Sequence, residues 1–215
     1  MDEAFWRERW SLGQIGFHES EPNRFLSGFI DHLGEPGAVF VPLCGKSVDL
    51  DYLAERGHRV TGCELVAKAV DDYFAERGEA PTRRETAYGA LLSSPSRALS
   101  IALGDVFAFE PEGDPFDAIF DRAALVALDP ADRARYAQKL ASLLRPGGRA
   151  LLVTFEHDIG SGPPWSVLPT EVAELFGEDF EIESLASGDA LEGNPRFGER
   201  GATYLRERVY ALTRR

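Results

Sequence analysis

Residues 38–47, Ala38-Val39-Phe40-Val41-Pro42-Leu43-Cys44-Gly45-Lys46-Ser47, decide the fold of this 215-residue chain. The apolar run Ala38 to Leu43 follows the turn Pro36-Gly37 and reads as a short buried strand. Gly45 then permits a tight turn and lets the backbone come close to a ligand. A helix is expected from about Ser47 to Glu55, ended by Gly57-His58. Arg59 to Glu64 reads as a second strand, and Val66 to Arg77 as a second helix closed by Gly78. The first turn lacks the spaced glycines that precede Lys-Ser in a phosphate loop. It also lacks the G-x-G-x-x-G of a dinucleotide fold.

The pattern continues in both directions. Phe5, Trp6 and Trp10 recur at helical spacing, which predicts a short helix docked on the core, and Arg24 to Leu33 predicts another that stops at Gly34. Residues 79–98 are rich in Pro, Ser, Thr and Arg and read as a loop. Ser100–Leu103 and Phe116–Asp121 are expected as the third and fourth strands. Asp129-Pro130 opens a helix that runs to Leu144 and stops at Pro146-Gly147-Gly148. Ala150–Phe155 is the fifth strand, Thr170–Phe176 a short helix, and Phe180–Leu185 and Tyr204–Thr213 a closing pair of strands. Strands alternating with helices make a doubly wound α/β fold. The mostly parallel, seven-stranded sheet carries helices on both faces and an antiparallel edge at the carboxyl end. One domain over 1–215 is expected.

The charge narrows the function. There are 23 Lys and Arg against 36 Asp and Glu, a net −13, so no basic stripe awaits nucleic acid or an anionic membrane. Two cysteines, Cys44 and Cys63, both inside apolar runs, suit a reducing, cytoplasmic setting. The four histidines have no metal-ligand spacing, so no metal is expected. Met1 to Trp10 lacks the apolar core of a signal peptide, and no apolar run approaches the roughly 20 residues of a membrane span.

In an open α/β sheet, ligands bind beyond the carboxyl ends of the strands. The residues placed there are Leu43 and Gly45, Glu64, the Asp105-Val106 pair, and Asp121-Arg122. Glu64 lies about 20 residues past the first turn, where a carboxylate can accept hydrogen bonds from a ribose diol. Asp105 could meet an adenine amino group. Arg122 could clamp a carboxylate or lie over a substrate, or it could simply pair with Asp121 on the surface. An acid after the second strand without a pyrophosphate fingerprint favours S-adenosylmethionine over NAD.

Several motifs, in order from Phe5 to Leu212, resemble the thiopurine S-methyltransferase family: Phe5-Trp6-x3-Trp10, Gly13-Gln14-Ile15-Gly16-Phe17-His18, Pro42-Leu43-Cys44-Gly45-Lys46-Ser47, Gly57-His58-Arg59-Val60, Asp121-Arg122-Ala123-Ala124-Leu125 and Gly162-Pro163-Pro164. The resemblance implies a Rossmann-like class I methyltransferase in which Trp10, Leu43, Glu64 and Arg122 contact S-adenosylmethionine. It puts Glu64 on the ribose and Asp105-Val106 beside the adenine. Residues 1–34 become a helical lid that sets Phe17 against the acceptor ring, with Arg122 and Arg196 near the substrate. The chain departs from the family pattern at Val66-Ala67-Lys68 and over residues 80–96.

Methyl transfer from a sulfonium is an in-line displacement, and a thiolate acceptor asks mainly for positioning in a water-poor pocket. Arg122 or Arg196 is expected to favour the acceptor anion; His18 reads as structural. The expected acceptor is an aromatic or heterocyclic thiol. The alternative is a small soft nucleophile such as thiocyanate, halide, or a selenium or tellurium oxyanion. An NAD-dependent oxidoreductase would need the absent glycine fingerprint, and a non-catalytic sensor would be expected to lose Trp10, Glu64 or Arg122. A monomer is expected.

Overall fold

In the computed structural model, which describes residues 3–215, Ala38–Pro42 forms strand β1 at the middle of a nine-stranded sheet. The other strands are β2 (Arg59–Glu64), β3 (Thr82–Thr86), β4 (Gly89–Ser93), β5 (Leu99–Leu103), β6 (Phe116–Arg122), β7 (Leu144–His157), β8 (Phe180–Asp189) and β9 (Leu205–Arg214). Their order is β3-β4-β5-β2-β1-β6-β7-β9-β8. Strands β5, β2, β1, β6 and β7 run parallel, and both ends of the sheet are antiparallel.

Successive side chains of β1 point to opposite faces, and both faces are covered. Phe40 enters one core with Ile119, Tyr136, Leu140 and Phe176, beneath α5 (Arg133–Leu143) and α6 (Pro169–Phe176). Val39 and Val41 enter the other with Leu26, Leu50, Val70 and Phe74. That second layer is made by α2 (Arg24–Phe29), α3 (Asp49–Glu55) and α4 (Ala67–Glu76). Phe40 stacks on Phe109 with centroids 5.0 Å apart. Burying such a ring contributes about 1.5–3 kcal/mol.

The strand count corrects the expected seven. The two extra strands, β3 and β4, lie inside the 79–98 segment read as loop; they pair with each other, and β4 pairs with β5. β3 gives no signal because it is the outermost strand and its residues, Thr-Arg-Arg-Glu-Thr, carry no apolar alternation; β4, Gly-Ala-Leu-Leu-Ser, does alternate, with Ala90 and Leu92 buried, but over only five residues. Tight backbone turns close the unit: an added Cβ at Gly89, whose φ is +135°, would collide with the Leu103 carbonyl. A second difference lies at Pro146-Gly147-Gly148, expected as a stop but carried inside β7. Pairing with β6 jumps from Phe116–Leu144 to Ala118–Arg149, so the extra residues sit in an irregularity of the strand. Asp129 does cap a helical start, with Ala131 N–H donating to its side chain, although the first turn, Pro130–Asp132, is a 3-10 turn before α5. No helix among the described residues is long and apolar enough to cross a membrane.

At the amino terminus α1 (Glu3–Ser11) confirms the short helix expected there; residues 1 and 2 lie outside the described residues. A nine-residue helix has little stability alone. This one is held by Trp10, 3% exposed, packed with Val66 and Ala69 at the start of α4.

Candidate active site

The strand ends come together as the topology requires. The order reverses at β1, which has β2 on one side and β6 on the other, and this is the switch point where open sheets bind ligands. Register keeps the neighbouring ends level: Pro42 pairs with Cys63, and Glu64 with Leu103. The backbone then turns sharply. Leu43 after β1 has φ +46°, Gly45 has φ +53°, and Ala123 after β6 has φ +65°. Left-handed backbone at non-glycine residues costs about 1–2 kcal/mol each and clusters at functional sites.

Glu64 braces the first turn. Its Oε2 accepts the Gly45 N–H at 2.9 Å and its Oε1 the Val66 N–H at 2.7 Å. Burial pushes its carboxyl above the usual range, against the pull of these backbone donors. Two N–H groups occupy half of the roughly four lone-pair sites of a carboxylate, leaving capacity for a diol. Trp10 lies over Gly45: a Cβ there would stand 3.2 Å from its Cζ2. Phe17 meets Trp10 edge to face at 5.9 Å and Trp6 at 6.0 Å.

A cavity of about 320 Å³ opens among Trp10, Phe17, Leu43, Glu64 and Arg196. Trp6, Gly16, Phe155 and the Gly162-Pro163-Pro164 segment complete much of its wall. Arg196 stands on α7 (Pro195–Glu199) and lays its guanidinium across Gly16, so a Cβ there would push the Arg196 side chain aside. Its guanidinium has no hydrogen bond or ion pair among the described residues. Burial lowers its pKa, and the nearby Arg122 charge adds to that.

Arg122 is differently engaged. It lines a smaller neighbouring cleft with His18, Lys46, Ser47 and Asp49. Its Nη1 donates to the Phe17 carbonyl at 2.7 Å, and its Nη2 pairs with Glu19. The surface pair with Asp121 does not form. Asp121 points the other way, accepting from the Tyr136 hydroxyl at 2.7 Å and the Leu125 N–H at 3.3 Å. Burial pushes its carboxyl up to about 6. His18 has its pKa lowered by burial and then by Lys46. Asp105 and Val106 do not line the cavity: Asp105 accepts the Phe107 N–H at 3.0 Å and Val106 is buried in the core.

Some wall residues carried no sequence signal for a site. Ala123 and Val126 reach the cavity only because the chain folds back after β6. Arg200 follows α7 and donates to the carbonyls of Ser161 and Pro163. The signal for α7 was present in Asn194-Pro195, a cap residue before a first-turn proline.

The family profile described as Thiopurine S-methyltransferase (TPMT) matches residues 1–215. The Thiopurine S-methyltransferase of Shewanella baltica (strain OS185) is 42% identical over 220 residues, covering 100% of both chains. That of Pseudomonas fluorescens (strain SBW25) is 45% identical over 223 residues, again over 100% of both. Among solved structures, the 1,6-didemethyltoxoflavin-N1-methyltransferase of Burkholderia thailandensis, with bound 1,6-didemethyltoxoflavin and S-adenosylhomocysteine, superposes with a TM-score of 0.67 at 23% identity. The match spans 99% of this chain and 86% of that one. The chain belongs to the thiopurine S-methyltransferase family and is a methyltransferase that depends on S-adenosylmethionine.

Proposed function

We propose that the chain methylates the sulfur of aromatic or heterocyclic thiols. The observation that carries this reading is the wide, largely apolar cavity around Phe17 with the unpartnered Arg196 guanidinium in its wall. A planar ring suits Phe17, Trp6 and Pro163; a thiolate suits Arg196. Small soft anions would be better held by a tight cage of donors.

The residues present fit S-adenosylmethionine. Glu64 retains acceptor capacity at the cavity wall, and the left-handed turn sets Leu43 in that wall and Gly45 in the adjoining cleft. When bound, this cofactor would supply an electrophilic methyl group on a sulfonium: the acceptor sulfur would bond to the methyl carbon in line as the S–CH3 bond breaks and S-adenosylhomocysteine leaves as a neutral thioether. Glu64 would hold the ribose hydroxyls, and Leu43 and Gly45 would bring backbone against the cofactor. Asp105-Val106, in the turn after β5, would border the adenine from beyond the cavity wall they do not line; the adjoining Gly104 N–H bonds the Glu64 carbonyl at 2.9 Å. Trp10 and Phe17, carried by the 1–34 lid, exclude water. Arg196 lowers the pKa of the acceptor thiol by favouring its anion, so no strong base is needed. Arg122 acts from the adjacent cleft through the lid. The working unit is read as a monomer, and the unbridged Cys44 and Cys63 support a reducing cytoplasm.

The test is incubation with S-adenosylmethionine and 6-mercaptopurine, read by mass spectrometry, with Glu64→Ala alongside. Methylated thiopurine from wild type alone supports the reading. Bound S-adenosylhomocysteine without product, together with turnover of thiocyanate or an oxyanion, would overturn the acceptor assignment.

A further inference from the structure

Residues 12–22, between α1 and α2, have no regular secondary structure, yet they carry Phe17 to the cavity. Their own backbone bonds are few, among them Gln14 N–H to the Arg9 carbonyl at 2.9 Å and His18 N–H to the Ile15 carbonyl at 2.8 Å. Side chains must therefore fix the segment, and one series of contacts does so. Arg122, at the end of β6, binds the Phe17 carbonyl and pairs with Glu19. Glu19 also accepts from the Asn23 side chain at 3.3 Å. The Asn23 backbone N–H bonds Asp49 Oδ1 at 2.7 Å, and Asp49 Oδ2 accepts the Ser47 hydroxyl at 2.9 Å. The series thus joins the end of β6 to the turn after β1, with Phe17 held between.

The pair is asymmetric. The Arg122 side chain is 13% exposed, whereas Glu19 is 44% exposed and reaches in from the segment without regular structure. Without Glu19, Arg122 would also stand near Arg196 with its charge uncompensated, since both charges act on that residue. Arg122 is the fixed half and Glu19 the detachable half.

We propose that Glu19 is a positioning residue for methyl transfer: paired with Arg122, it fastens the segment bearing Phe17 against the cavity and so sets how long cofactor and product stay bound. This rests on the reading of the cavity as the methyl-transfer site.

The experiment compares the full-length wild type with Glu19→Gln and Glu19→Asp. Hydrogen exchange of residues 12–20 is followed without ligand, and S-adenosylhomocysteine dissociation is followed by stopped-flow tryptophan fluorescence. Glu19→Gln should raise both rates about three- to tenfold, the range for a partly exposed charge-assisted pair. Exchange in β1 and β6 should stay unchanged, Glu19→Asp should restore much of the effect, and added salt should narrow the gap between wild type and Glu19→Gln. Wild-type exchange at 12–20 in Glu19→Gln would overturn the proposal, as would an equal rise in β1 and β6. If the wild type did not bind S-adenosylhomocysteine, the cofactor-site reading would fall, and the ligand-free exchange would still decide the role of Glu19.

Discussion

Replacing Glu64 by Gln changes one oxygen of a buried carboxylate to an amide nitrogen. Both oxygens accept backbone N–H groups, from Gly45 and Val66, so one of these donors must then face another donor. A buried N–H left unsatisfied costs about 1–3 kcal/mol. For a chain of this length, each kcal/mol moves Tm by about 2–4 °C, so the variant should melt about 2–12 °C lower. The cofactor should suffer separately. Losing one hydrogen bond from a ribose hydroxyl to a charged acceptor costs about 1.5–3 kcal/mol, or roughly 10- to 100-fold in affinity for S-adenosylhomocysteine. Calorimetric titration and melting with and without ligand separate the two effects. A lower Tm with unchanged affinity would leave Glu64 as a brace of the Gly45 turn and refute its role on the ribose. An unchanged Tm would refute the claim that both oxygens are needed by the backbone.

Asp121 gives a pH signature. Its folded pKa of about 6 lies above the ordinary carboxylate value, so its contribution to stability is present below pH ~4 and is lost as pH rises through 6. Asp121→Asn, which can accept from Leu125 N–H and donate to the Tyr136 oxygen, should flatten this; its Tm relative to wild type should climb between about pH 4 and 6 and level off above, and a constant difference would contradict the cause given. Gly45→Ala would place a Cβ at φ +53°, 3.2 Å from Trp10, and should destabilise by about 1–2 kcal/mol while altering Trp emission; a melting curve and an emission spectrum check both. Arg196→Ala should raise KM for an anionic acceptor about tenfold while S-adenosylhomocysteine affinity holds within about twofold, with Arg196→Lys in between; equal losses in both affinities would place Arg196 on the cofactor instead.

What could be read in advance follows from where each residue's destiny is decided. Val39, Phe40 and Val41 are apolar on both faces because a central parallel strand has no wet side, so the run announced its own position. Leu43, Gly45 and Glu64 were legible for the same reason: topology alone puts strand ends at the switch point. β3 was not, because an outer strand satisfies only one side of its backbone and needs no apolar pattern to do so. Pro146 and Gly147 looked like a boundary because local chemistry forbids a helix there, but the strand absorbed them through a shift of register. Arg122 shows a different limit. Its residue type and place were clear, but a long side chain has several destinations, and the one it takes depends on Phe17 and Glu19, more than 100 positions earlier. Arg196 was named only through the resemblance: its helix, α7, has five residues, too few to show periodicity, and is marked in the sequence only by Asn194-Pro195.

An open sheet of nine strands ends in two rows of backbone groups onto which another chain could crystallise its own strand. At one end Arg83 pairs with Glu85 and Arg84 with Glu112, so an added strand would have to strip water from both ion pairs. At the other, β8 sets out Glu181, Glu183 and Asp189 along its length. Charges at such margins make ribbon-like growth from chain to chain unfavourable. The hairpin that escaped the sequence reading therefore also serves as a terminator of polymerisation.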